Sequence, residues 1–101
     1  MENPVIEYGP AAEWLISRTN LVSILNSLEH IKKLGHFGDK YQYICLLNAC
    51  KKDFSGNYRR LMALKTITRH KPDHLLNEHV KDFWDIYTGL MKSVNDWNPN
   101  N

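Results

Sequence analysis

The sequence predicts an all-α, single-domain bundle of four to five helices with short loops, covering residues 1–101. Three observations predict it. Apolar residues recur at helical spacing along most of the chain, glycine and proline interrupt that spacing at a few points, and no linker or internal repeat divides it. A chain of 101 residues with 43% hydrophobic and 24% charged positions is also ordinary for one globular domain.

The first helix is expected to begin at Pro10 and to end at Gly35. Proline suits the first helical turn, where its missing N–H is not needed, and glycine readily takes the left-handed conformation that ends a helix. The apolar positions with helical spacing are Trp14, Leu21, Ile24, Leu25, Leu28 and Ile31. Thr19-Asn20 could divide this segment, so one long helix and two short ones both fit the pattern.

A second helix is predicted over about 40–52, with Asp39 as its N-cap. Apolar atoms surround it on nearly all sides, which indicates the central, buried helix of the bundle. The residues that form this pattern are Tyr41, Tyr43, Ile44, Cys45, Leu46, Leu47, Ala49 and Cys50. A short strand over 41–47 is the alternative, because tyrosine and isoleucine favour strands.

Asp53-Phe54-Ser55-Gly56 is predicted to form a turn, since these residue types favour turns. A third helix would follow to about His70, capped by Ser55 or Asn57. The residues expected to face inward on it are Leu61, Leu64, Ile67 and Thr68, while Arg59, Arg60, Arg69 and His70 mostly face outward.

The last helix is predicted between the break at Lys71-Pro72-Asp73 and the polar tail 98–101. Its apolar residues alternate in steps of four and three over three heptads, the spacing of a seam packed against another helix. These residues are Leu76, Val80, Phe83, Tyr87, Leu90, Val94 and Trp97.

Composition excludes several classes of protein. No run approaches the 18 or more apolar residues of a membrane span, and the acidic start is not expected to be a secretory signal. Two cysteines do not make a disulfide framework, so a cytoplasmic protein is expected.

The net charge of +2 conceals a segregation of charge along the chain. Residues 1–31 carry a net −3, residues 32–50 a net +2, residues 51–71 a net +6 and residues 72–101 a net −3. A cationic segment between two acidic ends is the polar feature that most indicates a function.

Neither a metal site nor catalysis is predicted. Cys45, Cys50, His70 and His74 superficially resemble a zinc ligand set, but residues five apart on a helix point about 140° apart. No phosphate-binding glycine loop, nucleophile elbow or paired-histidine protease motif occurs, and the five histidines are scattered. A cysteine–histidine pair could still meet in space. We expect no cofactor and no enzymatic activity.

The cationic segment 51–71 is the predicted nucleic-acid footprint. Its cations could neutralise several phosphates at once, and Tyr58 could stack on an unpaired base. The predicted contact residues are Lys51, Lys52, Tyr58, Arg59, Arg60, Lys65, Arg69 and Lys71. A solvated face, neutralised in part by the acidic last helix, is the alternative interpretation.

Two further surfaces have functional interpretations. Helices 40–52 and 57–70 could form a DNA-binding helix-turn-helix, although Lys52 stands four positions before Gly56, where a small residue is usual. Trp84, Ile86 and Met91 lie outside the heptad seam of the last helix. They would either complete the core from its other side or form an interface for a homodimer or another protein.

The segment Lys51-Lys52-Asp53-Phe54-Ser55-Gly56-Asn57-Tyr58-Arg59-Arg60 resembles a stretch of the geminivirus pre-coat protein, whose pattern is basic, Asp, aromatic, four residues, then Arg-Arg. The similarity spans about residues 1–72 without gaps. It includes Met1, Pro4, Pro10, the Leu25/Leu28-Glu29 region, Gly38 and Pro72. The cysteine- and histidine-rich segment that follows in that family is missing here, so its metal binding is not carried over.

The resemblance implies suppression of host RNA silencing, by RNA binding or by capture of a host silencing factor, together with self-association and help in viral movement. The expected function is therefore non-enzymatic nucleic-acid binding, favouring RNA over DNA. The alternative is a helical protein-interaction module or homodimer that sequesters a protein partner through the last helix.

Overall fold

The computed structural model describes residues 9–68 and 74–97, which form three α-helices and no strand. The helices are α1 (Pro10–Leu34), α2 (Lys40–Thr68) and α3 (His74–Asp96). The all-α class is confirmed, but the count of four to five helices is wrong, as is the alternative strand over 41–47. No helix in these ranges is long and apolar enough to cross a bilayer.

Helix α1 is a single helix of 25 residues with the predicted ends. Pro10 occupies its first turn, and Gly35 ends it with φ 73°, its N–H donating to the Lys32 carbonyl at 3.3 Å. Thr19 and Asn20 do not divide it: both are exposed, and the Asn20 side-chain amide donates to the Asn57 side-chain oxygen of α2 at 3.2 Å. The weak helix propensity of Thr19 and Asn20 is outweighed by the packing of the buried residues of α1, such as Leu21, which is fully buried.

Helix α2 is capped as predicted and then continues through the predicted turn. The Gln42 N–H donates to the Asp39 carboxylate at 2.8 Å, which identifies Asp39 as the N-cap. The turn at 53–56 is wrong: α2 has 29 residues, and Phe54 is fully buried with its ring stacked on Phe83 at 3.8 Å. Gly56 lies in mid-helix. The helix-turn-helix interpretation fails with the turn.

The prediction that the 40–52 segment is buried on all sides is also wrong. Tyr43 and Leu47 are buried, whereas Cys45 is exposed and Tyr41 is 77% exposed. The side of α2 that faces α1 and α3 is buried, and the opposite side carries apolar residues in contact with solvent.

The heptad seam of α3 is confirmed. Leu76, Phe83, Leu90 and Val94 are buried, and the other three predicted positions are half-buried against the same core. Every apolar position predicted on α1 also belongs to or packs on this core. The core therefore lies along the line where the three helices meet.

The short connection between α1 and α2 is fixed to the end of α3. The ring of His36 stacks on Trp97 at 4.8 Å, and its Nε2 lies 2.9 Å from the Ser93 hydroxyl. Tyr43 meets both rings edge-on. These contacts hold the N-terminal end of α2 in place and so orient the cationic segment further along it.

Candidate nucleic-acid interface

The structure separates the predicted contact residues into two sides of α2. Lys51, Lys52 and Arg59 line one open groove of about 540 Å³, which we call the cationic groove. The groove is completed by Asn48, Ser55 and Gly56. Because successive helical residues are rotated by about 100°, these three cations share an arc of about 100°, and Arg60 lies about 80° beyond the Lys52 end of that arc.

Arg60 faces α1 instead of the cationic groove. Its guanidinium lies 3.2 Å from the Glu13 carboxylate, and both side chains are partly exposed. The structure therefore does not bring the adjacent arginines Arg59 and Arg60 to one surface, although the sequence groups them as one motif.

The three cations of the cationic groove have no carboxylate within ion-pair distance among residues 9–68 and 74–97. Asp82 and Asp85 of the acidic last helix are exposed and form no ion pair with them. Lys51 contacts an aromatic ring instead of a carboxylate: its ammonium lies 5.5 Å from the centre of the Tyr87 ring. The described residues thus leave the positive charge in this groove largely uncompensated, and all three cations are exposed to solvent.

A hydrogen bond from α3 reaches Asn48, one of the residues that line the cationic groove. The Tyr87 hydroxyl donates to the Asn48 side-chain oxygen at 2.9 Å. Together with the Lys51–Tyr87 contact, this bond ties α2 to α3 beside the cations. Sequence analysis assigned Tyr87 to the core seam and did not foresee this role.

Tyr58 lies at the edge of the cationic groove and not within it. It lines a neighbouring cavity of about 330 Å³ with Phe54, Trp84 and the Ser55 and Arg59 side chains. Ser55 and Arg59 also line the cationic groove, so the two cavities adjoin at these residues. We call this second cavity the aromatic groove.

The remaining predicted contact residues lie outside what the structure describes. Lys65 is in the described backbone of α2, but its side chain is not described, and Arg69 and Lys71 fall between α2 and α3. Their participation stays a prediction.

The predicted interface residues do not form one patch. Trp84 lines the aromatic groove, whereas Ile86 lines a separate cavity of about 420 Å³ near His36 and Ser93. Met91 lies two turns from Trp84 on the same side of α3. All three are half-buried and pack against the core.

The cysteines differ in environment. Cys45 is exposed, and Cys50 is half-buried beside Asp53. Burial, and secondarily the negative charge of Asp53, raises the pKa of the Cys50 thiol, which lowers its reactivity. Within the described ranges, no three His, Cys, Asp or Glu residues come together in a way that could hold a metal ion.

Comparison of the chain with protein-family models, with curated proteins and with solved structures gives no match.

Proposed function

We propose that this chain is a non-enzymatic nucleic-acid-binding protein that favours RNA and holds the phosphate backbone in the cationic groove. The observation that carries the proposal is the convergence of Lys51, Lys52 and Arg59 on one open surface, where no carboxylate of residues 9–68 or 74–97 pairs with them. Cations placed in this way bind phosphates and release condensed counterions, which favours binding at low salt. Such contacts position a polynucleotide without selecting its sequence.

The biological role follows from the resemblance to the geminivirus pre-coat protein. We propose suppression of host RNA silencing, in the host cytoplasm or nucleus, by sequestration of RNA. The resembling segment includes all three cations of the cationic groove, so the same surface would serve this role.

The proposal is tested by neutralising one lysine pair and comparing it with a matched pair elsewhere. Lys51→Gln with Lys52→Gln removes two cations from the cationic groove, and Lys32→Gln with Lys33→Gln removes two exposed cations from the last turn of α1. Both double variants have the same net charge. Gel-shift titrations with single-stranded RNA, duplex RNA and DNA at two salt concentrations then give the affinity and its salt dependence.

For single-stranded RNA, the groove variant should flatten the plot of log affinity against log salt by about 1.4, at about 0.7 per phosphate contact. The control variant should leave the slope near that of the unmodified protein. Equal slopes for the two variants would refute the cationic groove as the footprint. Circular dichroism of both variants checks that the helices remain.

The alternative function is sequestration of a protein partner or homodimerisation through Trp84, Ile86 and Met91. It predicts a stable dimer in size-exclusion chromatography with light scattering, and its dissociation by Trp84→Ala or Met91→Ala without unfolding. A monomer that is insensitive to both changes would remove this alternative and leave nucleic-acid binding as the proposed function.

A further inference from the structure

The aromatic groove places a tyrosine and a tryptophan beside the cations of the cationic groove. Tyr58 comes from α2 and Trp84 from α3, and the buried Phe54 lines the same groove. Both wall residues are half-buried, so part of each ring faces the groove. An aromatic slot open to solvent is the kind of surface on which a nucleobase stacks.

Trp84 and Tyr58 differ in the number of ring contacts that hold their side chains in place. Trp84 meets Phe54, Phe83 and Tyr87 at interplanar angles of 84–87°, with ring centres 5.4–6.3 Å apart. Tyr58 makes no ring contact with another aromatic side chain in the described part of the chain. Trp84 is therefore a fixed platform, and Tyr58 is available to close on a ligand without losing an existing stacking partner.

Arg59 connects the aromatic groove to the cationic groove. It lines both cavities and is the only cation of the cationic groove that also lines the aromatic groove. Within one nucleotide, the base and its phosphate are covalently joined at short range. A nucleotide whose phosphate contacts Arg59 can thus direct its base toward Tyr58 and Trp84.

We infer that the aromatic groove takes one unpaired base of a single-stranded polynucleotide, which stacks on Tyr58 and Trp84 while its phosphate contacts Arg59. The inference rests on the proposed function, because it needs the phosphate backbone in the cationic groove. A base in a duplex is stacked and paired and cannot enter, so the chain binds single strands more tightly than duplexes. Trp84 then serves as a ligand-binding residue and not as a protein interface.

The test compares two leucine variants with two matched controls. Tyr58→Leu and Trp84→Leu remove the aromatic faces and keep an apolar side chain of moderate size. Tyr41→Leu changes an exposed tyrosine of the same helix α2, and Trp14→Leu changes a half-buried tryptophan of α1, neither of which lines the aromatic groove. The probes are an oligouridine of about 12 nucleotides and an RNA duplex of matched length.

We expect Tyr58→Leu and Trp84→Leu each to weaken oligouridine binding about 5- to 150-fold and to leave duplex binding unchanged. The two control variants should bind both probes like the unmodified protein. Should Trp84→Leu prove unfolded by circular dichroism, Trp84→Phe, which keeps a smaller stacking surface, is expected to weaken oligouridine binding by a smaller factor.

Two outcomes separate this inference from the proposed function. If the unmodified protein binds oligouridine and duplex equally, or if the variants weaken both equally, base binding is wrong while phosphate binding in the cationic groove stands. If neither probe binds at low salt, the proposed function fails and the base-binding inference fails with it.

Discussion

Replacing Gly56 with alanine tests whether α2 is one continuous helix. Gly56 is exposed in the middle of α2, its φ is not positive, and a Cβ built on it meets no atom within 4 Å. No steric cost therefore offsets the difference in helix propensity, which is about 0.8–1.0 kcal/mol in favour of alanine. Gly56→Ala should raise the free energy of unfolding by about 1 kcal/mol and Tm by about 4–8 °C.

The assay is urea and thermal unfolding followed by far-UV circular dichroism. Gly35→Ala is the matched control, because Gly35 ends α1 with φ 73°. Alanine there must adopt a positive φ with ψ −164°, a conformation that is essentially restricted to glycine, so we expect a loss of about 1–3 kcal/mol. A loss of similar size for Gly56→Ala would place Gly56 in a turn and refute the continuous helix.

Three further predictions concern the core and the cysteines. Phe54→Ala should lower the free energy of unfolding by about 3–5 kcal/mol, because it empties a fully buried site stacked on Phe83; a loss below about 1 kcal/mol in urea unfolding would show that Phe54 is exposed. The buried Tyr43 hydroxyl has no hydrogen-bond partner in the described residues, so Tyr43→Phe should be neutral or stabilise by about 1 kcal/mol, whereas a clear loss in the same assay would reveal a bond. At about pH 8, iodoacetamide should modify Cys45 much faster than Cys50, whose raised pKa keeps it protonated; equal rates by mass spectrometry would contradict this environment.

The pKa of Cys50 also gives a direction for the dependence of stability on pH. Because burial raises this pKa in the folded state, the unfolded chain loses the proton at lower pH. The contribution of this thiol to stability is therefore fully present below the unfolded-state pKa, and it is lost as pH rises from there through the higher folded-state pKa. The Cys50→Ser variant, which does not ionise in this range, should show a weaker fall of the free energy of unfolding with rising pH.

The sequence predicted α1 and α3 well because their apolar spacing and their end signals agree. Pro10, Gly35 and Asp39 act as predicted, since each works through its own backbone or the adjacent turn. Helix ends of this kind are local properties and need no knowledge of the rest of the fold.

The predicted turn at 53–56 was wrong because a contact between α2 and α3 outweighs the local preference of these residues for a turn. The turn-like residue types around Phe54 remain helical while its ring packs on Phe83 of α3. One signal in the sequence was available: spacing in steps of four and three continues through the predicted turn, at Tyr43, Leu47, Cys50, Phe54, Asn57, Leu61 and Leu64. All seven are buried or half-buried.

Asn57 made this spacing hard to recognise, because an amide side chain interrupts the apolar positions on either side of it. Its side-chain amide donates to the Asp53 carbonyl at 2.9 Å, and its side-chain oxygen accepts from the Asn20 amide of α1 at 3.2 Å. A polar residue whose hydrogen bonds are satisfied can occupy a seam position and fix the alignment of two helices.

The candidate site was predictable only in part. Charge segregation identified the segment that contains Lys51, Lys52 and Arg59, but the predicted turn hid the helical rotation that separates Arg60 from them. The meeting of Tyr58 with Trp84 depends on how α2 packs against α3, which no local pattern reveals.

The most direct measurement of the central claim compares two neighbouring arginines. Arg59→Gln removes a cation from the cationic groove, and Arg60→Gln removes one that pairs with Glu13 on the other side of α2. The salt dependence of oligouridine binding should flatten by about 0.7 for Arg59→Gln and stay unchanged for Arg60→Gln. Equal effects of the two variants, or a larger effect of Arg60→Gln, would contradict the account.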